Sequence, residues 1–150
     1  MSESTDAAAG GRRGGRTVSK STPDEVMELA CGLPLTRSVL RSVVADATPG
    51  QLGVLADLFR AENASRTESR RARLIRNAGF PCVKGFDGYD WGMASFPADW
   101  GREQLMDLGF VDRAEDLVLY GDVGCGKTHL AIAIGMLACQ RMIPVRFFTA

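Results

Sequence analysis

The sequence predicts an α/β protein in which a helical N-terminal region precedes a strand, a glycine-rich loop and an apolar helix. Apolar residues recur at three- and four-residue spacing within residues 22–79, as on one face of a helix. The apolar run Leu117–Tyr120 has the length of a buried strand and leads directly into a glycine-rich loop and an apolar helical segment. The composition, 45% hydrophobic and 24% charged over 150 residues, is that of an ordinary globular protein. It excludes a disordered, collagenous or membrane identity for the whole chain.

The charge distribution divides the chain into two different halves. Basic and acidic residues both total 18, so net charge by itself favours neither a nucleic-acid nor a membrane partner. Up to Lys84 there are 13 basic and 9 acidic residues, and from Gly85 onward 5 and 9. We therefore expect the halves to serve different functions.

The N-terminal sequence and the cysteines predict a cytoplasmic location. Residues 1–20 contain no apolar core that would suit a signal peptide, and we expect them to form a disordered tail. The four cysteines form no C-x-x-C pair, which indicates a reduced protein. The longest uncharged apolar stretch, Leu130–Gln140, is far shorter than a membrane span. We therefore expect no membrane segment.

The sequence pattern of residues 21–80 predicts a basic helical region with three helices. Thr22 and Glu25 have capping-box spacing with Pro23 at the first helical position, and this helix should end near Cys31. A second helix should carry Val39, Leu40, Val43, Val44 and Ala47 on one face and end near Pro49 and Gly50. The third should begin at Gln51, place Leu52, Leu55, Leu58 and Phe59 on one side, and stop at Gly79.

The second half of the third helix is rich in arginine. Two interpretations stay open: contact with nucleic-acid phosphates, or a solvated helix side stabilised by weak Glu/Arg pairs. The candidate DNA-binding residues are Arg66, Arg70, Arg71, Arg73 and Arg76.

Residues 81–116 form a connector, and six of the eleven aromatic residues cluster around its first part. The region should be irregular or hairpin-like, with a short helix at about residues 102–108. The rings could stack on a base, although packing against a domain face is the commoner use. The six residues are Phe80, Phe86, Tyr89, Trp91, Phe96 and Trp100.

Residues 117–150 begin with the motif that carries the chemistry. The segment after Tyr120 matches G-x-x-x-x-G-K-[ST] at every fixed position. Its glycines allow successive N–H groups to surround an anion, and a helix starting near Lys127 directs its positive end at the same place. Lys127 should bind the β- and γ-phosphates of a nucleotide, and the Thr128 hydroxyl should coordinate Mg²⁺. The loop residues are Gly121, Asp122, Val123, Gly124, Cys125, Gly126, Lys127 and Thr128.

The motif and its surroundings resemble the IstB-like transposition helper ATPases, relatives of the DnaC helicase loaders in the AAA+ group. The similar segments are Asn77–Pro81, Phe86–Trp91, Asp112–Gly121, Gly126–Gly135 and Val145–Ala150. The resemblance is close from about Arg70 and looser before it. It adds His129 to the nucleotide-binding residues.

The resemblance implies a truncated AAA+ domain with a doubly wound parallel sheet. It also implies an ATP-binding, DNA-dependent ATPase that assembles on DNA and assists a transposase. The resemblance favours DNA contact by the basic helix, and it favours a position of the adenine near the aromatic connector. In the family's strand order 5-1-4-3-2, the strands at residues 117–120 and 145–149 would not be neighbours. The Walker B acidic residues, the sensors and the arginine finger of such ATPases do not occur up to Ala150. We therefore expect an N-terminal fragment that binds ATP weakly at best and does not hydrolyse it.

Other functions of the same sequence stay open. The chain could act as a DNA- or partner-binding module without nucleotide chemistry, or be a relic without a stable fold. A small-molecule P-loop kinase is less consistent with the long helical region that precedes the first strand.

Overall fold

The computed structural model describes residues 21–149, which form two compact units that meet in sequence at Asn63 and Ala64. We call residues 21–63 the N-terminal unit and residues 64–149 the C-terminal unit. The predicted disordered tail, residues 1–20, lies outside the described residues. The domain limits predicted at residues 20, 80 and 116 stay predictions.

The N-terminal unit contains helices α1 (Pro23–Leu29) and α2 (Arg37–Ala45) and the first part of α3 (Pro49–Ala78). A single 3-10 turn, Ala30–Gly32, follows α1. The predicted cap of α1 is confirmed, because the backbone N–H of Glu25 donates to Thr22 Oγ1 at 3.2 Å.

The start of α3 differs from the prediction, which treated Pro49 and Gly50 as the end of α2. Thr48 and Gln51 form a reciprocal cap: the Thr48 backbone N–H donates to Gln51 Oε1 at 2.8 Å, and the Gln51 N–H donates to Thr48 Oγ1 at 3.4 Å. Pro49 is the first residue of the helix, where its missing N–H leaves no helical hydrogen bond unmade. The same proline therefore begins α3.

The core of the N-terminal unit contains Val26, Ala30, Val44, Leu52, Ala56 and Phe59. The predicted apolar faces are buried only in part. Leu40 and Leu55 pack against this core, whereas Val39 is 60% and Leu58 is 58% exposed. Part of each periodic face is therefore exposed.

The C-terminal unit contains the rest of α3, then α4 (Arg102–Asp107), α5 (Gly109–Asp112) and α6 (Lys127–Gln140). The connector before α4 is irregular except for the 3-10 turn Trp91–Met93. The sequence predicted α4 and α6 but not α5, which is only four residues long and follows a left-handed Leu108. The aromatic rings of the connector pack around the cluster formed by Leu105, Leu108, Leu130, Ile134 and Ala138.

Neither predicted strand forms among residues 21–149, which contain no β-ladder. Along Leu117–Tyr120 the side chains still alternate as they do in a strand: Leu117 and Leu119 are half-buried, while Val118 and Tyr120 are 75% and 91% exposed. A strand needs a neighbouring strand to satisfy its backbone groups, and these segments have none within the described residues. The sheet is therefore not confirmed.

Helix α6 is the most deeply buried element, with eight of its fourteen residues buried. Gly135 in its middle permits a close approach, because a Cβ there would lie 2.7 Å from Phe80 Cζ. Beside this contact the Phe147 N–H donates to the Ala78 carbonyl at 2.8 Å. The apolar surroundings hold α6, and with it the loop that precedes it, in place.

Candidate nucleotide-binding site

The loop before α6 has the backbone conformation that its glycines permit. Gly121, Gly124 and Gly126 have φ of +141°, +88° and +85°, values that residues with a Cβ rarely adopt. Gly126 is the N-cap residue of α6, so the free N–H groups of the first turn lie directly after the loop. A 14-residue helix places a positive partial charge at this end. Together these features suit an anion.

Lys127 is the first residue of α6 and its side chain turns back over the loop. Its Nζ donates to the Gly121 carbonyl at 2.9 Å and to the Asp122 carbonyl at 2.7 Å, and it lies 3.6 Å from Cys125 Sγ. The ammonium group is thus already positioned over the loop. A phosphate entering the loop would replace these neutral carbonyl acceptors with charged oxygens, which form stronger hydrogen bonds.

The connector packs onto the end of the loop through Tyr89. A Cβ on Gly126 would lie 3.0 Å from Tyr89 Cε2, so the ring touches the loop backbone. His129 Nε2 lies 2.9 Å from the Gly85 carbonyl oxygen. Because a carbonyl only accepts hydrogen bonds, Nε2 carries a proton and donates.

A cavity of about 970 Å³ opens beside the loop. One part of its wall is the loop itself, and another is apolar and includes Tyr89, Phe96, Trp100 and Leu117. This volume lies at the upper end of the range of small-molecule and cofactor sites. A loop that suits an anion, joined to an aromatic wall, suits a ligand that carries both phosphates and a flat ring.

Six of the nine predicted nucleotide-binding residues line this cavity: Gly121, Asp122, Val123, Gly124, Cys125 and Lys127. Gly126 and His129 contact the connector instead, and Thr128 is exposed in the first turn of α6. The sequence did not predict that the Tyr89 ring packs against Gly126 of the loop. Its signal was the aromatic cluster, but nothing in the spacing shows which ring reaches Gly126.

Glu115 lines the cavity, and the hydrogen bond from Arg113 lowers the pKa of its carboxyl group.

The four cysteines form no disulfide bond with one another. Burial raises the pKa of the Cys139 thiol, which makes this thiol less reactive. Residues 21–149 contain no cluster of three or more side chains suited to hold a metal ion by themselves.

The candidate DNA-binding arginines do not form one surface. At about 100° per residue, Arg66, Arg70, Arg73 and Arg76 fall within a sector of about 120° on one side of α3. Arg71 is turned about 160° from Arg73 and lies on another side. Arg71 Nε donates to the Gln140 carbonyl at the end of α6 at 3.1 Å, and its guanidinium lies 3.8 Å from Glu68. Arg71 therefore caps α6, where a positive charge is favourable.

No helix among the described residues is long and apolar enough to cross a membrane.

A glycine-rich loop at the start of a buried helix, beside an aromatic cavity, is the arrangement of a phosphate-loop nucleotide-binding protein. The family model described as IstB-like ATP binding protein matches residues 37–150, about three quarters of the chain. The chain belongs to this family, and membership implies a phosphate-loop fold.

Two curated relatives carry names from insertion sequences. One, by its name an ATP-binding protein of insertion sequence IS5376 from Geobacillus stearothermophilus, is 34% identical over 93 residues, which are 62% of this chain and 37% of the relative. The other, named for insertion sequence IS21 of Pseudomonas aeruginosa, is 39% identical over 67 residues, 43% of this chain and 24% of the relative. The chain thus spans well under half the length of these relatives. No solved structure is significantly similar to it.

Proposed function

We propose that this chain binds ATP in the cavity beside the loop of residues 121–128. The observation that carries the proposal is the conformation of the loop: three glycines with positive φ precede a buried helix, and Lys127 Nζ lies over the loop carbonyls. Membership of a family described as ATP-binding supports the choice of ligand. The aromatic wall supplies a surface on which a base can pack.

Each loop residue has a separate task in this proposal. Gly121, Gly124 and Gly126 permit a loop conformation in which successive backbone N–H groups surround the phosphates, and Lys127 compensates the charge of the phosphates. The hydroxyl of Thr128 fits a magnesium ion that the nucleotide brings, since it is exposed in the first turn of α6 and hydroxyl oxygen is a ligand that Mg²⁺ accepts. When bound, Mg²⁺ neutralises phosphate charge.

The segments at residues 117–120 and 145–149 belong, in this proposal, to the parallel sheet of an α/β domain. The alternating burial of Leu117, Val118, Leu119 and Tyr120 supports the first strand. The second segment alternates in the same way, with Val145 and Phe147 half-buried and Phe148 83% exposed. Strands placed on either side of these segments would satisfy their backbone groups.

The whole protein is proposed to be a cytoplasmic DNA-dependent ATPase that assembles on DNA and assists a transposase. The names of the relatives, which refer to insertion sequences, support a role in transposition. The unpaired cysteines are compatible with a reducing compartment.

Binding of ATP is tested by titrating the full chain with a fluorescent ATP analogue and then adding unlabelled ATP. We expect a saturable signal that unlabelled ATP displaces with one site per chain. A signal that guanosine triphosphate and ATP displace equally would contradict adenine recognition. A signal that neither displaces would remove the proposal altogether.

The exposed arginines of α3 support DNA binding as a second activity of the chain. Arg70, Arg73 and Arg76 are exposed on one side of the helix, together with Arg66. A contact between an arginine and a DNA phosphate releases counterions, so each such contact makes the affinity for DNA more dependent on salt. This face would serve the whole ATPase, and it would also serve a module that binds DNA without nucleotide chemistry.

We expect replacement of Arg70, Arg73 and Arg76 by Gln to weaken duplex binding and to reduce the slope of log affinity against log salt by about 3, since each phosphate contact contributes roughly 0.9. Fluorescence anisotropy with a labelled duplex at several salt concentrations measures both quantities. The matched control replaces Arg37, Arg41 and Arg146, which lie outside this face. Equal slopes for the two triple variants would reject the α3 face as the DNA contact.

A further inference from the structure

His129 follows the loop of residues 121–128 and contacts the connector. It lies in the first turn of α6, two residues after Lys127, and it is not part of the cavity wall. Its Nε2 donates to the carbonyl of Gly85 in the connector at 2.9 Å. The imidazole therefore joins the helix that carries the loop to the segment that carries the aromatic rings.

The same imidazole supports one particular ring. Tyr89 packs edge-on against His129, with ring centroids 5.4 Å apart, and against Trp91 at 5.0 Å. Trp91 in turn stacks on Phe86 at 5.8 Å. Tyr89 thus contacts both His129 and the aromatic cluster.

Tyr89 is the one member of this group that faces both the cavity and the loop. It lines the cavity, and its Cε2 lies 3.0 Å from the position of a Cβ on Gly126. The Tyr89 ring therefore adjoins the space into which the remaining part of a ligand would extend if its phosphates occupied the loop.

We propose that His129 is a positioning residue that holds Tyr89 in the cavity wall, and that Tyr89 contacts the nucleoside part of the bound nucleotide. The inference rests on the proposed binding of ATP. It differs from the expectation that His129 itself binds the nucleotide, which stays a prediction. His129 acts through the Gly85 carbonyl and the Tyr89 ring, and it contributes nothing directly to the phosphates.

Inorganic tripolyphosphate separates the two parts of the site, because it carries the phosphates of ATP without the nucleoside. Calorimetric titration of the full chain with ATP and with tripolyphosphate compares wild type with His129→Ala, His129→Gln and Tyr89→Ala. We expect His129→Ala and Tyr89→Ala each to weaken ATP binding about tenfold, which corresponds to about 1.4 kcal/mol, while tripolyphosphate affinity stays within about twofold of wild type.

The conservative and double variants test the route of the effect. The amide of Gln can donate to the Gly85 carbonyl, so His129→Gln should recover part of the ATP affinity. Combining His129→Ala with Tyr89→Ala should cost no more than either change alone, since both remove the same contact. An additive loss would show that His129 acts independently of Tyr89 and would overturn the inference.

Two other results would also overturn it. Equal weakening of ATP and tripolyphosphate by His129→Ala would assign His129 to the phosphate loop, and wild-type affinity would show that it positions nothing that the ligand touches. If the wild-type chain binds neither ligand, the proposed function fails, and amide exchange without ligand then decides the positioning role. In that measurement, faster exchange at residues 85–91 in His129→Ala supports it, and unchanged exchange rejects it.

Discussion

Replacing Lys127 by Ala should weaken ATP binding by at least about a hundredfold. The ammonium group lies 2.9 Å and 2.7 Å from two loop carbonyls, so it is already placed where the phosphates enter. Hydrogen bonds to a charged partner contribute about 1.5–3 kcal/mol each, and about 2.8 kcal/mol is a hundredfold in affinity. Titration with the fluorescent ATP analogue measures the loss.

The chain offers a matched control for this variant. Lys84 is an exposed lysine of the same unit that lies outside the cavity wall, and Lys84→Ala should leave ATP affinity within about twofold of wild type. Lys127→Arg should not restore binding fully, because a planar guanidinium does not replace a compact ammonium. Retention of wild-type affinity by Lys127→Ala would place the phosphates elsewhere in the chain.

Replacing Gly126 by Ala should destabilise the C-terminal unit more than replacing Gly124 by Ala. Both glycines have φ near +85°, where a residue with a Cβ costs roughly 1–2 kcal/mol. Gly124 has open space at the Cβ position, whereas a Cβ on Gly126 lies 3.0 Å from Tyr89 Cε2. Overpacking of this kind costs a further 1–3 kcal/mol or so.

We therefore expect the free energy of unfolding to fall by about 3 kcal/mol for Gly126→Ala and by about 1.5 kcal/mol for Gly124→Ala. Urea denaturation followed by tryptophan fluorescence reports on the correct unit, because both tryptophans, Trp91 and Trp100, lie in it. Adding Tyr89→Ala should reduce the difference between the two variants. Equal losses for both glycine variants would show that Tyr89 does not press on the loop.

The boundaries of helices were predictable where the signal was local. Thr22 and Pro23 indicate a helix start through a cap that involves only neighbouring residues, and the structure confirms it. The sequence alone does not identify Pro49 as a helix start, because proline both stops helices and starts them, and the choice depends on Gln51 reaching back to Thr48. That contact involves a side-chain conformation which spacing alone does not show.

The strands were less predictable than the helices, because a helix satisfies its own backbone whereas a strand needs a partner. Leu117–Tyr120 keeps the alternation of a strand without forming a ladder among residues 21–149.

The sequence also did not show which arginines of α3 lie on the same side of the helix. Composition grouped Arg71 with its neighbours, but a turn of about 100° per residue directs it to the Gln140 carbonyl.

By itself the sequence determined the family and the phosphate loop, because the order of strand-like run, glycines, Lys127 and Thr128 is a continuous stretch whose geometry depends on local backbone freedom. Only the tertiary structure decided that Tyr89 adjoins Gly126 and that His129 holds the connector. Gly85 and His129 are 44 residues apart in the chain, and their hydrogen bond exists because the apolar burial of α6 and the aromatic connector brings them to 2.9 Å.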